Sequence, residues 1–261
     1  MATIKGKTIK YYKSFKQDFI TTSNQNYKLN KNYKWENNHL YYKIISFLVY
    51  SLLWSLGFIF IKILHIKIED HAHLSHYRKQ NYVLYSNHTQ PQGDVFIPPY
   101  FIKGKRPLYL VDPSNLGIHV IGKLLPFGGA IPIPKRLSQI KAFKKALNKK
   151  FTFQKALIIF PEEHLWPYMT KIRPFNPAAF HFPIKNHCLS FCATTTYHKV
   201  KDQKKPKIII HIDGPFYAKK NLNYRQQKRQ LERQIKYCMQ KRSQESNYQY
   251  IVYKKGDDSV K

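Results

Sequence analysis

Acidic residues are scarce in this chain of 261 residues, where 14 Asp and Glu face 45 Lys and Arg, for a formal net charge of +31. Such an excess predicts attraction to an anionic partner, which could be nucleic acid, a lipid surface or an acidic protein. Part of the excess belongs to a general richness in Lys, Asn, Ile and Tyr, a bias that A+T-rich coding produces without selection for charge.

Cysteine is also rare, and the three that occur are an odd number without paired spacing: Cys188, Cys192 and Cys238. A disulfide framework is therefore not expected, and a reducing compartment is favoured. The first two lie in an apolar run, which predicts a buried strand rather than a metal site, because no further Cys or His pair follows at ligand spacing. The glycines form no phosphate-binding loop.

The chain begins with a basic segment over residues 1–43, which holds nine lysines against Asp18 and Glu36 and shows no apolar periodicity. This composition predicts a loosely ordered arm. Residues 44–61 then carry no charge at all. As a helix they would be about 27 Å long, just short of the thickness of a bilayer's hydrocarbon core.

This apolar segment predicts a membrane-inserting helix over residues 44–65. A single span would keep the basic arm inside and send the rest of the chain outward, which conflicts with reduced cysteines. A helix lying in one leaflet and anchored by Trp54 is therefore favoured. A buried core helix is the remaining alternative, whereas a signal peptide is not, because its basic leader would be 43 residues long.

Four histidines follow within twelve residues: His65, His71, His73 and His76. Such a cluster could suggest a metal site. The neighbouring Leu64, Ile66 and Ile68 alternate as in a strand, and no acid or thiol completes a convincing ligand set, so no metal is predicted.

Short apolar runs alternate with helix-like segments over the rest of the chain. The predicted strands cover residues 82–85, 108–111, 130–134, 156–160, 189–193 and 207–211. A helix through Leu125 could be capped by Ser114 or Asn115, and an amphipathic helix is predicted between residues 135 and 150. This alternation predicts an α/β fold with a mixed sheet flanked by helices.

The C-terminal part is basic again, with 16 Lys or Arg and 4 acids over residues 199–255. One narrow apolar face is expected on its helix, formed by Leu231, Ile235, Cys238 and Met239. The helix either docks on the domain with its basic side solvated or lies on lipid.

The most informative stretch couples a strand over residues 82–85 to a turn that contains Asn87, His88 and Asp94. Open α/β sheets place their sites just past the carboxyl ends of strands. A histidine oriented by a carboxylate is able to take a proton from an alcohol. His88 and Asp94 are therefore candidates for a general-base pair.

Three further stretches have chemical character. They are Gly128-Gly129 leading to Lys135 and Arg136; Phe160-Pro161-Glu162-Glu163-His164; and Pro183-Ile184, which opens a predicted strand after the basic residues Lys171 and Arg173. In this order, and with a membrane-inserting helix upstream, the motifs resemble those of the glycerolipid acyltransferases, the family of 1-acylglycerol-3-phosphate acyltransferase. The resemblance covers roughly residues 66–216.

The resemblance implies a role for each matching residue. His88 would deprotonate the acceptor hydroxyl, and Asp94 would orient His88. Lys135, with Arg136 as the alternative, would hold the acceptor's phosphate, and Glu162 would shape the acceptor site. The remaining motif residues assigned to substrate binding are Asn87 and Gly129.

The chain departs from the family pattern in two places. Five residues separate His88 from Asp94, where the family has four. In the third motif Glu163, His164 and Leu165 replace a glycine, a small polar residue and an arginine. Two downstream cations are candidates to supply the missing charge: Lys171 and Arg173.

The predicted organisation is a basic arm over residues 1–43, a membrane-inserting helix over 44–65 and an acyltransferase domain over 66–261 with a basic C-terminal helix. The resemblance implies acyl transfer from coenzyme A, acyl carrier protein or acyl phosphate to a lysophospholipid hydroxyl, with 1-acylglycerol 3-phosphate favoured and no cofactor. Expected partners are an anionic membrane surface, at its cytoplasmic face, and an acidic acyl carrier protein. Nucleic acid is not expected, because no recognition motif is present. A non-catalytic basic binding protein and an inactive acyltransferase-like domain are the alternatives.

Overall fold

The computed structural model describes residues 3–4, 7–20, 26–91, 93–102, 104–152 and 155–256. Its strands are β1 (Thr3–Ile4), β2 (Lys7–Tyr12), β3 (Lys67–Glu69), β4 (Tyr82–Ser86), β5 (Arg106–Val111), β6 (Ala130–Pro132), β7 (Lys155–Ile159), β8 (Leu189–His198), β9 (Lys207–Phe216) and β10 (Ile251–Lys255). Its α-helices are α1 (Leu40–Ile63), α2 (His73–His76), α3 (Gly93–Phe96), α4 (Pro98–Phe101), α5 (Ile121–Leu124), α6 (Ile140–Lys150), α7 (His181–Lys185) and α8 (Tyr224–Ser243). Short 3₁₀ helices cover Pro113–Gly117, Leu137–Gln139 and Pro177–Phe180.

Seven strands form one mixed sheet in the order β3-β9-β8-β4-β7-β5-β6. The neighbours β8, β4, β7, β5 and β6 run parallel, whereas β9 pairs antiparallel with β8. All five residues of β4 are buried, as expected for a central parallel strand covered on both faces. The α/β fold with a mixed sheet flanked by helices is thus confirmed.

Alternate residues of β4 enter two different cores, one on each face of the sheet. Val83 and Tyr85 pack with residues of α6, α7 and α8, on what we call the α8 face. Tyr82 and Leu84 pack with residues of α1, α2 and α4, on the α1 face. This alternation is the period of two that a strand imposes on its side chains.

Helix α1 begins four residues before the predicted segment, at Leu40, and ends at Ile63. Within the described residues it is the helix long and apolar enough to cross a membrane. It does not stand free of the domain. Gly57 and Ile61 are buried, and the Tyr50 hydroxyl donates to the Lys105 carbonyl at 3.0 Å. The opposite side of α1 exposes large apolar residues: Leu40, Tyr41, Ile44, Phe47, Leu48, Leu52, Trp54, Phe58, Ile59 and Ile63.

The described residues of the N-terminal segment, 3–4, 7–20 and 26–43, do not form the loosely ordered arm that the composition predicts. Strand β2 pairs in parallel with β10 in a second, three-stranded sheet. Trp35 is buried, and its indole N–H donates to the Pro132 carbonyl at 2.9 Å. The many lysines predict disorder, but the aromatic side chains of the same segment supply apolar surface that packs on the domain.

Two local predictions are also wrong. Pro183 and Ile184 belong to α7 rather than to a strand, and β8 begins only at Leu189. The cap near residue 114 is Asp112, whose carboxylate accepts the Ser114 backbone N–H at 2.8 Å.

Helix α8 is docked on the domain through its apolar side. Leu231, Ile235 and Met239 of α8 are buried in the core on this side of the sheet, and Cys238 is partly buried beside them. Asn223 and Gln226 form a capping box at its start.

Candidate active site

Four parallel strands end at one edge of the sheet, and polar residues follow each of them. Asn87 and His88 follow β4, Glu162 follows β7, Asp112 follows β5 and Lys135 follows β6. Ligand sites of open α/β sheets form at this carboxyl edge. The topology therefore brings the predicted motifs to the same edge of the sheet.

His88 and Asp94 are in direct contact, with His88 Nδ1 at 2.7 Å from Asp94 Oδ2. The backbone N–H of Gln90 donates to the same oxygen at 3.1 Å. The fifth intervening residue does not prevent the contact, because α3 begins at Gly93 and brings Asp94 back toward β4. Burial raises the pKa of the Asp94 carboxyl above its usual value, while the hydrogen bond from His88 opposes that rise.

The backbone of His88 is held at its N–H and at its carbonyl. Its N–H donates to Glu162 Oε2 at 3.1 Å, and its carbonyl accepts the Trp166 backbone N–H at 3.0 Å and Arg173 Nη2 at 3.4 Å. The imidazole stacks on Phe160, with ring centroids 4.3 Å apart. Within the part of the chain that the structure describes, no hydrogen bond engages His88 Nε2, so that nitrogen is available to a substrate hydroxyl.

Glu162 and Arg173 form a buried ion pair beneath His88. Arg173 Nη2 donates to Glu162 Oε2 at 2.8 Å, and the Arg173 backbone N–H donates to Oε1 at 2.7 Å. Arg173 Nη2 also donates to the His164 carbonyl. The guanidinium carbon of Arg173 lies 4.9 Å from the centroid of the Trp166 ring, as in a cation–π contact. Among the described residues, Arg173 Nε and Nη1 have no hydrogen-bond partner. Of the two cations considered for the missing arginine, Arg173 is the one that contacts the motif.

Asn87 is 2% exposed, and both ends of its side-chain amide bond the backbone of Thr195 in β8. Its Nδ2 donates to the Thr195 carbonyl at 3.1 Å, and its Oδ1 accepts the Thr195 N–H at 2.8 Å. These two bonds continue the pairing of β4 and β8 past the end of the strand.

The three other predicted cations are exposed. Lys135 Nζ lies 3.1 Å from Asp112 Oδ2, an ion pair open to solvent on both sides. Arg136 precedes the 3₁₀ turn at Leu137–Gln139, and Lys171 lies in the loop before Arg173. Among the described residues, no hydrogen bond or ion pair joins any of these three side chains to the His88–Asp94 pair.

Gly129 has a backbone role in the second motif. Its φ is +98°, and a Cβ there would lie 2.2 Å from the Pro107 carbonyl oxygen. Only glycine allows β6 to approach β5 this closely.

Glu163 stands where the glycerolipid acyltransferases have glycine. Its φ of +66° lies in the left-handed region that favours glycine. Its carboxylate accepts a hydrogen bond from Asn176 Nδ2. The third motif of the glycerolipid acyltransferases, Phe-Pro-Glu-Gly, has a glycine at this position, and that glycine was the signal that could have predicted the turn. No comparable signal pointed to Trp166, which is buried under Tyr12, Phe15 and Phe19 from the N-terminal segment.

One group of metal-ligand side chains comes together within the described residues, away from His88. The ligand atoms of Cys192, Asp213 and Cys238 lie within 4.8 Å of one another. Both Asp213 oxygens already accept hydrogen bonds from the Arg242 guanidinium, at 2.9 to 3.2 Å.

Comparison with known proteins gives a similarity to solved structures. No protein-family model matches the sequence, and no curated protein matches it. Among solved structures, the chain is similar to the 1-acyl-sn-glycerophosphate (LPA) acyltransferase PlsC from Thermotoga maritima, at a TM-score of 0.54 and 13% sequence identity. The similarity covers 75% of this chain and 81% of that one. At this identity the likeness is one of fold, and the chain has the fold of an LPA acyltransferase.

Proposed function

We propose that this protein transfers an acyl group to the hydroxyl of a lysophospholipid, with 1-acylglycerol 3-phosphate as the acceptor. The donor is a thioester of coenzyme A or acyl carrier protein, or an acyl phosphate. The observation that carries the proposal is the 2.7 Å contact between His88 Nδ1 and Asp94 Oδ2 at the carboxyl edge of the sheet. The fold shared with an LPA acyltransferase supports it.

The chemistry follows from the tautomer that this contact selects. With Nδ1–H donating to the Asp94 carboxylate, Nε2 of His88 carries a lone pair. Nε2 takes the acceptor's hydroxyl proton as the oxygen attacks the acyl carbon. The bond from the acyl carbon to the leaving group then breaks, and the proton passes from Nε2 to the departing thiolate or phosphate. Asp94 remains ionised and stabilises the imidazolium.

The neighbouring motif residues then divide into two roles. Asn87, Glu162 and Arg173 have their polar contacts within the protein, which supports a positioning role for them rather than contact with substrate. Lys135, Arg136 and Lys171 are exposed cations, which suits binding of the acceptor's phosphate. Lys135 would leave its ion pair with Asp112 and pair with that phosphate.

A membrane location is supported by the position of α1. Its docked side contacts the domain at both ends, since Tyr42 donates to the Pro126 carbonyl at 2.9 Å and Gly57 packs against Phe96. A helix held along its length in this way lies in the plane of the bilayer surface and does not span it. Val120, Ile121 and Leu124 extend the exposed apolar surface beside its N-terminal half. The three free thiols favour the cytoplasmic face.

The test is acyl transfer by the purified protein in detergent, with labelled acyl donors and a panel of lysophospholipids. His88→Ala is expected to transfer at least about a hundredfold more slowly than the wild type, as loss of a general base predicts. His76→Ala, an exposed histidine of α2, is the matched control and should retain full activity. Equal activity of His88→Ala and the wild type would refute the site. If the wild type is inert with every donor while it still binds anionic vesicles, the protein is a binding protein or an inactive domain.

A further inference from the structure

Three metal-ligating side chains from three different elements meet on one face of the seven-stranded sheet. Cys192 lies in β8, Asp213 in β9 and Cys238 in α8. Their ligand atoms, two thiol sulfurs and a carboxylate oxygen, lie within 4.8 Å of one another. The three residues are far apart in the sequence, so the spacing of the cysteines could not reveal the group. None of them belongs to the general-base pair or to the residues proposed to bind the acceptor.

The topology of the sheet and of its covering helix explains why these side chains meet. Cys192 and Asp213 are partners in the antiparallel pairing of β8 with β9, beside an irregularity in the register. Residues directly opposite each other in such a pair project from the same face of the sheet. Cys192 belongs to the core on the α8 face, and Cys238 packs against that core. Arg242 follows Cys238 by one helical turn and therefore lies on the same side of α8.

The three ligands form a continuous chain of hydrogen bonds that ends at Arg242. The Cys192 thiol bonds the Cys238 sulfur, and the Cys238 thiol bonds the Asp213 carboxylate. Arg242 donates to Asp213 from Nε at 3.2 and 3.0 Å and from Nη2 at 2.9 Å. A carboxylate has about four acceptor positions, so these three bonds leave one position, which the Cys238 thiol contacts. A metal ion that replaced the thiol proton would find the carboxylate oriented by Arg242, as outer residues orient the ligands of metal sites.

The dimensions, exposure and charge of the group suit a thiophilic divalent cation. Zn–S bonds of about 2.3 Å in a tetrahedral site place two sulfurs about 3.8 Å apart, so the group contracts by at most about 1 Å on binding. Cys192 is buried, whereas Cys238 and Asp213 are partly exposed and give a cation access from solvent. Two thiolates and a carboxylate around Zn²⁺ leave one negative charge, which the Arg242 guanidinium offsets. Thiolate ligands favour Zn²⁺ over Mg²⁺ and Ca²⁺, which prefer oxygen.

We propose that Cys192, Asp213 and Cys238 bind a zinc ion, with a water molecule as the fourth ligand. Binding releases the two thiol protons to solvent, so that both sulfurs ligate the cation as thiolates. The ion links β8 and β9 to the C-terminal helix α8 and stabilises the folded domain, because the unfolded chain does not hold the three ligands together. Among the described residues, no hydrogen bond or ion pair joins this group to the His88–Asp94 pair. Zinc binding therefore does not depend on the proposed function.

The test is titration of the full-length, untagged protein with Co²⁺ and Zn²⁺, after metal is removed by a chelator and the thiols are kept reduced with a phosphine. Thiolate ligation of Co²⁺ gives an intense charge-transfer band in the near ultraviolet, which ligation by histidine or carboxylate alone does not give. Zinc affinity is measured by displacement of the bound Co²⁺. The ligand variants are Cys238→Ser and Asp213→Asn, at two partly exposed positions. The matched control is Cys188→Ser, because this third cysteine packs against the same core but lies outside the group.

The wild type and Cys188→Ser should both show the thiolate band, and Zn²⁺ should raise the melting temperature of both. Cys238→Ser should lose most of the band and bind Zn²⁺ at least about a hundredfold more weakly, since even the outer residues of a metal site contribute about 10–100-fold. Asp213→Asn should keep the band and bind Zn²⁺ at least about tenfold more weakly. Absence of the band in the wild type would overturn the site, as would an equal loss in Cys188→Ser or an unchanged zinc affinity in either ligand variant. An air-formed disulfide between Cys192 and Cys238, in a protein that shows no band once reduced, would overturn it in favour of a redox pair.

Discussion

The backbone N–H of His88 donates to Glu162 Oε2 at 3.1 Å, and this bond joins the residues that follow β4 and β7. Glu162 has a second partner, the buried guanidinium of Arg173, which also reaches the His88 carbonyl. His88 is therefore oriented by Asp94 through its ring and by Glu162 and Arg173 through its backbone. The first and third motifs act as one unit around the imidazole.

The Glu162–Arg173 pair is expected to be critical for folding and for activity. Arg173→Met leaves a buried carboxylate without its charge partner, so we expect a loss of about 3–5 kcal/mol in the free energy of unfolding. Glu162→Gln should be destabilising as well, because one acceptor oxygen becomes an NH2 group that faces an N–H donor and the buried Arg173 loses its counter-charge. Denaturant unfolding in detergent measures each variant. The double variant should lose less than the sum of the two single losses, and an additive result would show that the two residues do not interact.

Asp94→Asn should lower kcat/KM about a hundredfold or more, because the asparagine side chain no longer stabilises the imidazolium. The stability of Asp94→Asn, unlike its activity, should increase relative to that of the wild type. A carboxyl whose pKa is raised by folding stabilises the protein at low pH, and that contribution is lost as the pH rises through the folded-state pKa. The melting temperature of Asp94→Asn should therefore rise relative to that of the wild type as the pH increases from below the usual carboxyl pKa to above the raised one. A difference that stays constant with pH would show that burial does not raise this pKa.

Glu163→Gly should be more stable than Glu163→Ala by about 1 kcal/mol. Both variants remove the hydrogen bond to Asn176, but only glycine relieves the strain of a left-handed backbone at φ +66°. Thermal unfolding of the two variants side by side measures the difference. If alanine is the more stable of the two, the turn does not have the left-handed backbone described here.

Gly57→Ala should destabilise the docking of α1 by about 1–3 kcal/mol, because the added Cβ would lie 2.1 Å from the Phe96 carbonyl oxygen. Activity should fall as well, since Phe96 and Asp94 share the short helix α3. Binding to anionic vesicles should persist, because the exposed apolar side of α1 is unchanged. Unfolding, acyl transfer and vesicle sedimentation distinguish these effects.

The complementary variant is Leu48→Ser with Leu52→Ser, on the exposed side of the same helix. We expect weaker vesicle binding and full activity toward a detergent-dispersed acceptor, because neither residue contacts the domain core. Each CH₂ group buried in lipid contributes about 0.8 kcal/mol to membrane binding. Unchanged vesicle binding would rule out this side of α1 as the membrane surface.

Local pattern was sufficient for the central strands and for the contact between His88 and Asp94. The apolar run of β4 ends in turn-forming residues, and His88 and Asp94 lie six positions apart, so the chain itself limits how far they separate. The amphipathic spacing of α6 and the uncharged run of α1 likewise predict their helices, because each depends on contacts between residues three or four positions apart. The fold class followed from the alternation of these elements.

The partners of Glu162 and the burial of Trp166 depend on long-range packing. Arg173 and Lys171 have the same charge and lie two residues apart, and the sequence offers no reason to prefer one of them. Pro183 and Ile184 are as apolar as a strand start, yet packing beneath the α8 face places them in a helix. Local periodicity states which side of an element is apolar, whereas strand order alone decides what that side meets.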